Sequence, residues 1–207
     1  MNWGQRYARL ATDVVVRQPV LWRLFRGATR RQFDKLAPVW DARRDPVAFA
    51  PVSAALDTLS VPPVHVLDLG TGTGSVARLV REHFPETDVV GLDISEGMIE
   101  EARSKTQDDR IRYVVADAQR LPFEDGAFDL VTLGNMIPFF DEVARVVAPG
   151  GSVLFAFSAG PSTPIYVAPG RLRSELSRRG FGGFGELAAG RGTALIATRA
   201  EQGEASS

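Results

Sequence analysis

The chain has 207 residues, 44% of them hydrophobic, and a formal net charge of −1. That length and apolar content specify one domain with residues to spare for an appendage, and the near-neutral balance argues against a nucleic-acid partner acting over the whole surface. There is no cysteine, which excludes disulfides, cysteine–zinc sites and thiol nucleophiles and suits an intracellular protein. The two histidines, His65 and His83, lack a metal-binding spacing, so no metal is expected. No apolar run reaches the ~18–20 residues of a membrane span, and the N-terminus lacks the basic-apolar-small order of a secretory signal. A cytoplasmic location is the expectation.

Charge is unevenly spread. Residues 1–45 hold ten Lys or Arg against four Asp, a balance of +6, which leaves −7 for the other 162 residues. This segment reads as an appendage with its own role. Tyr7, Leu10, Ala11, Val14 and Val15 recur at helical spacing; Pro19 interrupts; Leu21, Trp22, Leu24 and Phe25 follow. Two short amphipathic helices are expected, with a third over Pro46–Leu59. From Val61 onward strands and helices alternate. Strands are placed near Val64–Leu69, Asp88–Leu92, Ile111–Ala116, Phe128–Leu133, Ser152–Ser158 and Thr193–Thr198. Helices fall near Ser75–His83, Glu96–Lys105, Phe140–Val147 and Arg171–Arg179. Gly180–Gly192 is a glycine-rich stretch, and the polar tail Glu201–Ser207 is expected to fray. The expected domain plan is an appendage over 1–60, a βα domain over 61–200 and the tail. Such alternation means βαβ units and a mostly parallel sheet.

Ligands of parallel sheets bind at the carboxyl ends of the strands, so the residues after each strand carry the functional reading. The first strand ends in VLDLGTGTG, where Asp68 precedes Gly70, Gly72 and Gly74 at alternate positions and Thr71 stands between the first two. Glycines there let a ligand approach the backbone, and the following helix presents its unpaired N–H groups. The second strand ends in GLDIS, with Asp93 19 residues beyond Gly74, where an acid can accept from a ribose diol. Asp117-Ala118 follows the third strand and can meet an exocyclic amine; Gly134-Asn135 follows the fourth. Each has a plainer alternative. The glycine turn can serve packing alone, Asp93 and Asp117 can cap helices, and Pro149-Gly150-Gly151 is a structural turn. Their joint order on successive strand ends carries the ligand reading.

VLDLGTGTG, GLDIS, DAQRLPFEDGAFDLV and EVARVVAPGG, in this order and spacing, resemble the class I S-adenosylmethionine-dependent methyltransferases of the small-molecule type. The resemblance is strong over residues 61–158 and weak elsewhere. It implies an α/β fold: a Rossmann-like, doubly wound sheet of seven strands with the last antiparallel, carrying the N-terminal helical appendage. It implies S-adenosyl-L-methionine as cofactor. The Asp68–Gly74 loop would hold the methionine part, Asp93 the ribose, Ile94 and Met98 the adenine pocket, Asp117 and Ala118 the adenine, and Gly134 and Asn135 the sulfonium end. FDKLAPVWD, with Trp40-Asp41, resembles the lid segment of small-molecule members. A nicotinamide dehydrogenase fits less well, since its third glycine position falls on Ser75.

The resemblance implies methyl transfer to a small acceptor. GNMIPFF is not the asparagine-proline-proline-aromatic signature of amino-methylating nucleic-acid enzymes, and no nucleic-acid partner is expected. The connection from Leu133 to Phe140 is short, so the acceptor pocket is expected from the appendage and the 159–170 loop. No base is evident. Tyr166, in GPSTPIYVAP, is the best-placed candidate, with packing under the loop as its alternative. The appendage itself has three readings: a solvated cap, a lid or a membrane-surface contact. The last two suit a lipophilic acceptor such as a quinone precursor or a fatty chain. A non-catalytic protein that binds the cofactor stays open as an alternative, and a nicotinamide-dependent oxidoreductase as a more distant one.

Overall fold

The structure, a computed structural model, describes residues 3–43 and 47–201. Its helices are α1 (Trp3–Arg17), α2 (Trp22–Leu36), α3 (Ala50–Leu56), α4 (Ser75–His83), α5 (Glu96–Ser104), α6 (Phe140–Val146) and α7 (Pro169–Ser177). Its strands are β1 (His65–Leu69), β2 (Asp88–Asp93), β3 (Ile111–Val115), β4 (Phe128–Gly134), β5 (Val147–Phe157), β6 (Phe181–Ala189) and β7 (Gly192–Arg199). They form one sheet in the order β3-β2-β1-β4-β5-β7-β6. Pairing is parallel from β3 through β5, while β7 runs antiparallel to both its neighbours. The expected fold class stands.

Alternation along each strand divides the core between the two faces of the sheet. Leu67 and Leu69 of β1, Val131 and Leu133 of β4, and Val153 and Phe155 of β5 pack on one side with α6 and α7. Val66, Leu130 and Leu154 pack on the other with Val52 and Leu56 of α3, Val80 of α4 and Ile99 of α5. The strand order reverses between β1 and β4, opening the crevice where such sheets bind ligands.

Three expectations need correction. Gly180–Gly192 contains a strand, β6, which pairs with β7. Glycines hide the period-2 signal, and the register shifts between Gly182 and Gly185 around Gly183 at φ 57°. Fifth-strand pairing begins at Val147, ahead of the Pro149-Gly150-Gly151 turn. The third helix is shorter than expected, Ala50–Leu56; the start of that segment, Pro46, lies outside the described residues, as does the tail beyond Glu201.

Candidate active site

The glycine turn is built on a buried acid. Asp68 is 1% exposed and lies opposite Thr132 of β4 in the parallel register. It accepts from Thr132 Oγ1 at 2.8 Å and from Thr71 Oγ1 at 2.6 Å. A buried carboxylate needs such partners, and this one ties the loop to the middle of the sheet. Gly70 and Thr71 donate their backbone N–H groups to Leu92 O at the end of β2. Gly70 takes φ 75°, and a Cβ there would lie 2.8 Å from Met136 Sδ. Gly74 precedes α4 at φ 79°, and a Cβ on it would stand 2.2 Å from Tyr113 Oη. Gly74 is therefore required by packing.

Asp93 closes β2 with both oxygens engaged: Oδ2 accepts from Gly72 N–H at 3.0 Å and Oδ1 from Ser95 N–H at 2.9 Å. Ser95 is the N-cap of α5, accepting from Met98 N–H, so capping falls to the serine and leaves the acid to the cavity. Burial pushes the Asp93 carboxyl up to about 6, the Asp68 carboxylate adding to the rise, while the Ser95 and Gly72 N–H groups hold it back. Each oxygen keeps acceptor capacity for a donor from the cavity.

Above the strand ends lie α1 and α2. Arg9 donates to Pro161 O and Thr163 O at 2.9 and 3.0 Å. Trp22 Nε1–H donates to Asp117 Oδ1 at 2.8 Å. Asp34 accepts from Ser95 Oγ at 2.6 Å, and Asp41 from Thr73 Oγ1 at 2.6 Å and Lys105 Nζ at 3.1 Å. The appendage thus reaches the loops after β1, β2, β3 and β5. Beneath it is a cavity of about 670 Å³, walled by Trp22, Phe33, Leu36 and Trp40 above and by Gly70, Gly72, Asp93, Ile94, Met98, Ala118, Gly134 and Asn135 below. Thr163, Pro164 and Ile165 close one side. A second chamber of about 320 Å³ shares Leu36, Trp40, Gly70, Gly134, Asn135, Ser158 and Ala159 with it and extends past Asp68 and Thr71 to Phe49, Val52 and Arg191.

Most of the residues marked out in the sequence line these chambers. Gly74 does not, for the packing reason given. Asp117 is turned to Trp22 and to Arg26, 3.6 Å away, and its neighbour Ala118 faces the cavity in its place. Tyr166 packs edge-on against Phe157, with ring centroids 5.0 Å apart, and is absent from both chamber walls. Asn135 takes φ 54°, the one positive value among described non-glycine residues, and clasps Ser158 through two hydrogen bonds of 3.0 Å. Strain of that kind concentrates at functional sites. The sequence reading missed Met136 and Ile137 of the short β4–α6 connection, and Arg191. The FDKLAPVWD segment supplies Phe33, Leu36 and Trp40 to the roof of the cavity.

The comparisons with known proteins agree with this architecture. Residues 66–151 match the family model described as a methyltransferase domain. Over those residues, and in its sheet order, the β/α core is similar to a methyltransferase domain. The chain is similar to the ubiquinone/menaquinone biosynthesis C-methyltransferase UbiE of Desulfotalea psychrophila, at 38% identity over 107 residues, 48% of this chain and 44% of that protein. It is similar to the demethylmenaquinone methyltransferase of Thermus thermophilus, at 36% identity over 136 residues, 59% of this chain and 62% of that protein. The chain therefore spans roughly half of the curated relatives it matches. Among solved structures, the Burkholderia thailandensis 1,6-didemethyltoxoflavin-N1-methyltransferase, with 1,6-didemethyltoxoflavin and S-adenosylhomocysteine bound, superposes with TM-score 0.68 at 17% identity, over 86% of this chain and 90% of that one.

Proposed function

We propose that the protein transfers a methyl group from S-adenosyl-L-methionine to a small, lipophilic acceptor, and that residues 1–60 act as a lid on a cofactor domain spanning 61–200. One observation carries the reading: the acid at the end of β2 borders, together with Ile94 and Met98, a cavity roofed by Trp22, Phe33 and Trp40. The residues fit the cofactor. Asp93 can accept from a ribose diol, Ile94 and Met98 offer apolar walls to adenine beside Ala118, the Asp68–Gly74 turn leaves backbone open to the methionine part, and Gly134 and Asn135 border the sulfonium end. Asp117 serves adenine through its grip on Trp22.

Bound there, the cofactor would supply a methyl group already activated on a sulfonium for in-line displacement. The chain's own contribution is alignment and the exclusion of water. Alignment comes from the glycine turn and Asn135, and exclusion from Phe33, Leu36 and Trp40. Tyr166 stands away from the cavity walls, so an acceptor whose nucleophile arrives protonated would need to lose that proton to another group or to water.

The apolar roof, and the names of the curated relatives, favour an acceptor of quinone-precursor or fatty-chain type, methylated on the cytoplasmic side of a membrane. No helix among the described residues is long and apolar enough to cross one. Leu10, Val20 and Leu24 are 58%, 58% and 68% exposed on the appendage, which is basic overall, as a peripheral contact with an anionic bilayer requires. Co-sedimentation with vesicles of anionic phospholipid, set against neutral ones, tests that contact; no preference would remove it. The transfer is tested by incubation with methyl-labelled S-adenosylmethionine and a panel of hydroquinones and fatty acids. Label in a lipophilic product supports it. Cofactor binding without turnover on any acceptor favours the non-catalytic alternative.

A further inference from the structure

The lid helix α2 and the adenosine end of the cavity meet at the first turn of α5. That turn follows Asp93 directly, and this stretch of chain gives Ile94 and Met98 to the cavity wall. The first N–H groups of a helix have no acceptor within it, and here they are shared among three side chains. Ser95 N–H donates to Asp93 Oδ1 at 2.9 Å, Met98 N–H to Ser95 Oγ at 3.1 Å, and Gly97 N–H to Asp34 Oδ1 of α2 at 3.3 Å. The buried Ser95 hydroxyl donates to the same Asp34 oxygen at 2.6 Å. Gly97 permits the approach: a Cβ on it would stand 3.3 Å from both the Cα and the carbonyl oxygen of Asp34, so the backbone of α2 rests directly on α5. Neither Asp34 nor Ser95 lines the cavity. Asp34 therefore acts on a ligand through Ser95, whose chain neighbours do line it.

We infer that Asp34 is a positioning residue for the cofactor. By accepting from the Ser95 hydroxyl and the Gly97 N–H, its carboxylate fixes the turn that carries Asp93 at one end and Met98 at the other, the two groups set to meet ribose and adenine. Closing the lid and gripping the adenosine end are then one event. A lifted lid removes two of the bonds that hold the turn, and a bound cofactor keeps Asp34 down. The inference rests on the methyltransferase reading of the cavity.

The test titrates the wild-type chain, Asp34→Ala and Asp34→Asn with S-adenosylhomocysteine and with 5′-methylthioadenosine, which lacks the amino-acid end. Asp34→Ala weakens both ligands by the same factor, about tenfold, because the lost bonds act on the adenosine half that the two share. Asp34→Asn, whose amide oxygen still accepts from Ser95 and Gly97, recovers most of the loss. Amide hydrogen exchange gives a second readout that needs no variant. Gly97 N–H is bonded to the lid and stands off the cavity wall, so S-adenosylhomocysteine slows its exchange in the wild type. Unchanged affinities in Asp34→Ala, a loss confined to S-adenosylhomocysteine, an Asp34→Asn no better than Asp34→Ala, or a Gly97 exchange rate indifferent to the ligand each overturn the inference and leave the cofactor reading standing. A wild type that binds neither nucleoside overturns both.

Discussion

The floor and the roof of the cavity are held by different forces. The floor is the end of a buried parallel sheet: Leu67, Leu69, Leu92 and Val131 are at most 1% exposed, and its polar group Asp68 is satisfied inside it by Thr71 and Thr132. The roof has little core of its own. Among the described side chains from Gln5 to Leu36, Ala11, Val15 and Trp22 are the buried apolar ones, and Leu10, Val20 and Leu24 face solvent. It is fastened by polar latches: Arg9 to the loop after β5, Trp22 to Asp117, Asp34 to Ser95 and Asp41 to Thr73. Hydrophobic burial makes the floor rigid and preorganised, whereas a roof held by a few hydrogen bonds, each worth about 1 kcal/mol net, can open for ligand exchange.

The comparison is broken most severely at Gly74. Gly74→Ala puts a Cβ against Tyr113 at a left-handed φ and is expected to cost about 3 kcal/mol of global stability, read from denaturant unfolding. A loss below ~1 kcal/mol would mean that Tyr113 moves aside and that the floor is softer than described. Acid acts next, through Asp93. A carboxyl at about 6 in the folded chain must be ionised to accept through both oxygens from a diol, so cofactor affinity is expected to fall about tenfold between pH 7.5 and 5. The free protein responds in the opposite sense. Because the folded state holds this proton between about pH 4 and 6 and the unfolded chain does not, Asp93 makes stability decline as pH rises through that window. A flat affinity profile from pH 7.5 to 5 would separate Asp93 from the ligand. The smallest effect is expected at the roof. Trp22→Phe keeps the ring and loses the bond to Asp117, and should weaken the cofactor by about 1 kcal/mol, roughly fivefold, while protease cleavage within α1 and α2 accelerates and the unfolding midpoint of the core stays put. A core midpoint that falls with it would make the roof part of the core.

The floor was legible in the sequence because its signals are local. A continuous apolar strand, alternating glycines and an acid at the next strand end each sit within a few residues of one another, and β1, β2, α4 and α5 appear within a residue or two of their expected bounds. What escaped depends on contacts between distant segments. Asp117 reads as an adenine ligand, and nothing near it in the sequence shows that Trp22, 95 residues away, donates to its Oδ1. Tyr166 reads as a candidate base or as an aromatic packed under its loop, and its ring lies against Phe157. β6 was hidden by Gly182, Gly183 and Gly185, whose lack of side chains erases alternation and which β7 holds in register. Arg191 carries no local signal, since only the packing of Gly192 against Pro51 brings the hairpin to the chamber.

The central claim is that Asp93 and the glycine turn form the floor of an S-adenosylmethionine site. It is tested most directly by calorimetric titration of the wild type and Asp93→Ala with S-adenosylhomocysteine, and of the wild type with NADH. The account predicts micromolar binding of S-adenosylhomocysteine, none of NADH, and at least a tenfold loss in Asp93→Ala with the fold retained by circular dichroism. Binding of NADH in its place, or an S-adenosylhomocysteine affinity indifferent to Asp93, would contradict it.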